Sequence, residues 1–373
     1  MPFNLSLAPT LSRAAISWQG DVTKITAADG TTVTAYPLAS FATYGVIPAN
    51  WKDDESITGL TIGQGITSIG DAAFEDCEDL VGNVVIPSSV TAIGASAFEG
   101  CEDIDGTLTL NEGLLTIGED AFDDCEDMTG SLTIPNSVTS IGEGAFDDCE
   151  SLTGHLTIPD TVTFLGEGAF SACGFTSLTI GTGITVINEG VFDSCEGLAG
   201  TLVIPDQITR IYDDAFEDCE SLTGLTLGSG LLVIGDSAFA SCVALTSITF
   251  SSSLTTIGWA AFRSCTSLAI VTIPAGVTSI GNYAFYGCTA LTSVTIPSSV
   301  TTIGFYAFAY CSALTSVTIS EGVTSIGLWA FRSCTALTSV TIPSSVTSIG
   351  YGAFEDCSAL TTVTCHVTKT IFE

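Results

Sequence analysis

The chain has 373 residues, with 41 acidic against 7 basic side chains and a formal charge of −34. Nucleic acid and anionic membrane are poor partners for it, because phosphate contacts need Lys and Arg. No stretch reaches the roughly 18 uncharged apolar residues a membrane-spanning helix needs, and no apolar run follows a basic start, so neither membrane insertion nor a secretory signal is expected.

Residues 1–50 do not repeat. They contain a predicted hairpin around Ala28-Asp29-Gly30, between Thr- and Val-rich runs, and Trp18, which suits an N-terminal cap or attachment segment. A degenerate repeat opens at Trp51, which takes a slot filled later by Phe, while Asp54 takes one filled later by Cys. The sequence thus divides into 1–50, a solenoid over 51–365, and a short tail, 366–373.

From residue 69 one phrase recurs: Ile-Gly-x-x-Ala-Phe-x-x-Cys, Leu, Val-Thr-Ile-Pro, Val-Thr-x. Thirteen phenylalanines from Phe74 to Phe354 are each followed three residues later by a cysteine, Cys77 to Cys357, at intervals of 22 to 24 residues. Such a period means stacked units that bury a continuous core only together. In Leu291–Pro297 apolar residues alternate with Thr, the pattern of a strand with one buried face, and Pro297 ends it for want of an amide. Val277–Ile280 is a second short strand, stopped by Gly281. Ala-Phe-x-x-Cys is expected to make about one turn of helix, because positions i and i+3 share a face. Coils stacked at ~4.8 Å would extend thirteen repeats to roughly 60 Å, with Phe, Cys, Ile, Leu and Val in internal columns.

The phrase AFxxCxxLxxVxIPxxVxxIG, over residues 51–365, resembles the BspA-type leucine-rich repeat family. The resemblance implies a right-handed, mainly β solenoid with short helical turns, used on cell surfaces for adhesion and for protein or host binding. With β structure on both walls, low curvature is expected.

Parallel Cα–Cβ vectors on neighbouring coils disfavour disulfides, so the cysteines read as small buried hydrophobes. Two histidines far apart, His155 and His366, and acids that recur with the repeat argue against an active site, so no enzyme is expected.

The variable positions split the chain, since 36 of 41 acidic residues precede residue 236. Glu78, Glu102, Glu126 and Glu150 follow the cysteine in four consecutive coils and would stand about 5 Å apart. A row of like charges is relieved either by bulk salt or by a hard cation. A Ca²⁺ or Mg²⁺ ladder is therefore one expectation, no cofactor the other.

From the ninth coil the positions after Ile-Gly turn aromatic: Trp259, Tyr283, Phe305, Tyr306, Trp329 and Tyr351. Tyr286, Tyr310, Arg263 and Arg332 lie in slots beside the cysteine. None is a core slot, and exposed Tyr, Trp and Arg together have the composition of a binding hot spot. The expected function is a non-catalytic binding or adhesion protein, presenting this strip to a protein ligand or cell-surface component. The alternatives are a structural fibre, virion or surface-appendage component attached through its termini, and a glycan binder. End-to-end self-association at the thinly capped C-terminal edge is a further expectation. The expected location is extracellular, cell-surface or virion-associated.

Overall fold

The computed structural model describes residues 57–366, residues 52–53 and four earlier strands, Ala14–Gln19, Val22–Ala27, Thr32–Pro37 and Val46–Ile47. It is a parallel β-solenoid built from short strands, with no helix among the described residues. Two compact units divide the chain, Met1–Gly174 and Phe175–Glu373. The boundary falls inside the one 22-residue interval between cysteines, Cys173 to Cys195.

In the first unit the short strands Val46–Ile47, Ser68–Ile69, Ala92–Ile93, Thr116–Ile117, Ser140–Ile141 and Phe164–Leu165 form one six-stranded sheet. Its parallel register joins equivalent residues, such as Ile93 to Ile117 to Ile141. Val22–Ala27 pairs antiparallel with Thr32–Pro37 on one side and Ala14–Gln19 on the other. Ala14–Gln19 in turn lies parallel to Ile57–Thr61, the first long strand of the coils. The expected hairpin turn at 28–30 and the degenerate slots Trp51 and Asp54 lie outside the described residues, as do residues 367–373 of the tail.

The second unit carries two eight-stranded parallel sheets. One runs through the short strands from Val186–Ile187 to Ser348–Ile349, the other through the longer strands from Gly200–Ile204 to Thr362–Cys365. Alternation decides their faces: in Ser293–Ile296, Val294 and Ile296 are buried while Ser293 and Thr295 are exposed.

Phenylalanines fill the core as a stacked column. In the first unit Phe74, Phe98, Phe122, Phe146 and Phe170 stack at 5.0–5.3 Å. In the second, Phe192 to Phe354 stack at 5.2–5.6 Å. Each offset stack adds about 0.5–1.5 kcal/mol to the burial of the rings. The described cysteines form no disulfides, and they do more than fill space. The Cys125 thiol donates to the Phe98 carbonyl of the preceding coil at 3.2 Å, and Cys311 does the same to Phe285 at 3.3 Å. Burial pushes the Cys311 thiol up to about 12, so these groups stay protonated and keep the proton they donate.

The expected helical turn is not there. The Ala-Phe-x-x-Cys segment is a tight turn whose alternate amides donate to the next coil: Ala72 to Ala95, Phe74 to Ala97 and Asp76 to Glu99, at 2.7–2.8 Å. Amides engaged sideways cannot also close i→i−4 bonds, so no helix forms. Each turn also contains two residues with left-handed φ, one just before the Ala and one just before the Cys, as at Ser96 (52°) and Asp124 (54°). A right-handed helix cannot pass through such residues. The glycine after Ile has a steric cause: a Cβ at Gly118 would lie 2.5 Å from the Gly94 carbonyl of the coil below.

Candidate functional site

Outside the core the two units carry different chemistry on the same turn. In the first unit, Glu78, Glu102, Glu126 and Glu150 are exposed in successive coils. The acids drawn together are others: Asp123, Asp124 and Asp148 bring one carboxylate oxygen each within 4.8 Å of one another, the one group among the described residues spaced so that it could hold a metal ion. Asp123 is pushed up to about 7, first by burial and then by the charges of Asp124, Asp147 and Asp120. Burial and like charge likewise raise Asp120 and Asp148. In the sequence these acids stand in the adjacent pairs Asp123-Asp124 and Asp147-Asp148, one coil apart.

The second unit begins with a similar acidic patch, where burial lifts Asp193 to about 6 and Glu217 to about 7. The patch then gives way to rings. Of the two positions after Ile-Gly, the second is the left-handed slot, and Tyr283 (58°), Tyr306 (56°) and Trp329 (51°) occupy it in three consecutive coils. Tyr310 (61°) occupies the other left-handed slot, before Cys311. A bulky L-residue there costs about 1 kcal/mol or more, where other coils place Gly, Asp, Ser or Ala. Stacking offsets the cost. Tyr283 lies on Tyr306 at 5.0 Å and 12°, and Tyr306 on Trp329 at 5.1 Å and 24°. Tyr286 packs against both Tyr283 and Tyr310, at 5.6 and 5.1 Å. This inner row, Tyr283, Tyr306 and Trp329, is half-buried, as is Tyr286.

The first position after Ile-Gly forms an outer row: Trp259, Asn282, Phe305, Leu328 and Tyr351 in five consecutive coils. Trp259, Phe305 and Tyr351 meet the inner row edge to face, with Trp259 at 63° to Tyr283, Phe305 at 81° to Tyr283 and Tyr351 at 90° to Trp329. They are 41%, 37% and 64% exposed, enough for each to present much of its ring to solvent. Leu328 is an exposed member that the sequence reading passed over.

The two arginines differ. Arg332 is half-buried, 3.5 Å from the carboxylates of Glu355 and Asp356, and the Trp329 indole donates to the same Glu355 at 2.9 Å. It is a brace at the end of the inner row. Arg263 is exposed, with no carboxylate partner among the described residues. All ten residues expected to bind a partner therefore share one face of the second unit, in two layers of different burial.

No curated protein matches this chain. Solved structures do. A leucine-rich repeat protein from Bacteroides ovatus ATCC 8483 is 27% identical, with a TM-score of 0.73 over 93% of this chain and 87% of its own. One from Eubacterium ventriosum ATCC 27560 is 24% identical, with a TM-score of 0.56 over 95% of each chain. The pneumococcal vaccine antigen PcpA shares the fold at 18% identity, with a TM-score of 0.52 over 98% of this chain and 91% of that one. The model of the BspA type leucine-rich repeat region matches residues 47–130, 115–242, 198–314 and 261–373, and with the coil geometry in agreement, the chain belongs to the BspA-type leucine-rich repeat family.

Proposed function

We propose that this chain is a non-catalytic binding or adhesion protein, working outside the cell or at its surface, and that its contact face is the aromatic layer of the second unit. One observation carries the reading: bulky rings occupy left-handed backbone slots and support an exposed outer row of rings. Strain held where glycine would remove it points to use, and exposed rings over a packed base suit a hot spot. No helix of the described residues is long and apolar enough to cross a membrane.

The experiment is cell and protein binding by the variant Trp259→Ala/Phe305→Ala/Tyr351→Ala. Binding should fall at least tenfold with an unchanged melt. Undiminished binding would move the contact face elsewhere. A second reading, a structural component joined end to end, draws on Thr362–Cys365, whose four residues are all exposed. It requires concentration-dependent assembly in sedimentation, suppressed by Val363→Pro, since Thr362 and His366 donate inward to the preceding coil and proline at the alternate position removes an outward edge amide.

A further inference from the structure

The two ring rows offer a ligand different surfaces. In the inner row Tyr306 stacks between Tyr283 and Trp329, each of which turns one face to it. In the outer row none of Trp259, Phe305 and Tyr351 is stacked face to face with another ring of the described residues, and each touches the inner row across a steep angle. Together with Tyr310, they are the exposed aromatic surface of this face. They recur at every second coil, and two coils span about 9–10 Å at the parallel-strand spacing.

Between Trp259 and Phe305 stands Asn282. Its Oδ1 accepts the Phe305 amide at 2.9 Å, which leaves the side-chain NH₂ as a fixed donor with no partner among the described residues. Between its ends the row is nearly uncharged: from residue 237 to residue 354 the only charged side chains are Arg263, Glu321 and Arg332, while Asp236 accepts the Trp259 amide at one end. A ligand that fits must be flat, apolar on its faces, hydrogen-bonding at its edges, neutral, and repetitive on the same step.

On these grounds we infer that the outer row is a platform for an extended, neutral β-1,4-linked polysaccharide, a glucan or an N-acetylglucosamine polymer. In such a chain the equatorial hydroxyls lie at the rim of each pyranose and the axial C–H groups on its faces. Those C–H groups, slightly positive, meet the negative face of an aromatic ring. Successive sugars turn over, so the same face returns every second unit, and each sugar advances by about one coil step. Rings at alternate coils thus meet equivalent faces, and the Asn282 amide reaches a hydroxyl between two of them. A globular protein ligand has no reason to repeat on this step, and an α-linked glucan coils and does not keep it.

The inference rests on the aromatic face being the contact face, and its test separates the two. Purified full-length chain is sedimented with insoluble cellulose, with chitin and with starch. We expect retention on cellulose or chitin, the two arms identifying the sugar, and none on starch. Retention should drop at least tenfold in Trp259→Ala/Phe305→Ala/Tyr351→Ala. It should drop comparably in Asn282→Phe/Phe305→Asn, which keeps the composition and destroys the two-coil step. Circular dichroism melts confirm that each variant is folded. No retention on either β-linked polymer, or equal retention of the register-shifted variant, overturns the inference. If the outer-row variant nevertheless loses cell binding, the proposed function stands and the ligand is of another class; if cell binding is unchanged, both fall.

Discussion

The acidic coils of the first unit and the aromatic coils of the second are built on one turn. At the left-handed slot before the Ala, the first unit has Ala72, Ser96, Asp120, Gly144 and Gly168, and the late coils of the second have Tyr283, Tyr306 and Trp329. The backbone is the same and so are the phenylalanine column and the thiol-to-carbonyl bonds. Only what projects from the turn differs: repelling carboxylates in one unit, mutually supporting rings in the other. A solenoid core can therefore hold its shape while the outside of each coil is rewritten, because most of the stability comes from the columns that neighbouring coils share.

The sharpest way to break this comparison is in the core. Phe122→Ala and Phe285→Ala, one in each unit, should each cost about 3–5 kcal/mol in urea titration. Costs that differ by more than about half would mean that the units are not built alike.

The next largest effect separates the two rows of rings. Replacing Tyr283, Tyr306 and Trp329 together by Ser should cost about 2–4 kcal/mol, from two lost stacks and the apolar area they cover. The outer-row alanine variant should stay within about 1 kcal/mol of the parent, as exposed substitutions do. Equal losses would make both rows structural.

Acidity should act on the acidic patches. Asp123 and Glu217, lifted to about 7, hold protons in the folded chain that the unfolded chain has already released above its ordinary carboxylate range of about 4. Folding therefore binds protons between about pH 4 and 7, and stability falls as pH rises through that window. The melting temperature should rise on going from pH 8 to pH 5, and Asp123→Asn should flatten the response of the first unit. Both groups are partly exposed, so salt will shrink the effect. A melting temperature independent of pH would show that these charges are screened already.

The smallest effect concerns cations. Calcium should raise the melt slightly over chelator, and Asp124→Asn should abolish the rise if Asp123, Asp124 and Asp148 hold the ion. Coincident curves would leave the acids as a solvated face. A rise that survives Asp124→Asn would return attention to Glu78, Glu102, Glu126 and Glu150.

Much of the molecule was legible in its period. The 22-to-24-residue spacing of Phe and Cys fixes the coil length, the internal columns and the parallel register, since no coil can bury its apolar face alone. Alternation in Ser293–Ile296 and the stop at Pro297 define the strands. The aromatic face was legible too, because Trp259, Tyr306 and Trp329 stand in slots the core does not use. What the tertiary structure alone decided is how each coil treats its neighbour. Amides that donate to the next coil replaced the expected helical turn. The cysteine thiol proved to be a donor to a carbonyl about a coil away. The aromatic strip separated into a stacked inner row and a free outer row, a distinction of ring orientation that residue identities and their spacing do not contain. Asp123, Asp124 and Asp148, not the glutamates, converged. A sequence period specifies which residues share a column, but the tilt of a ring or carboxylate within it is set by contacts between coils.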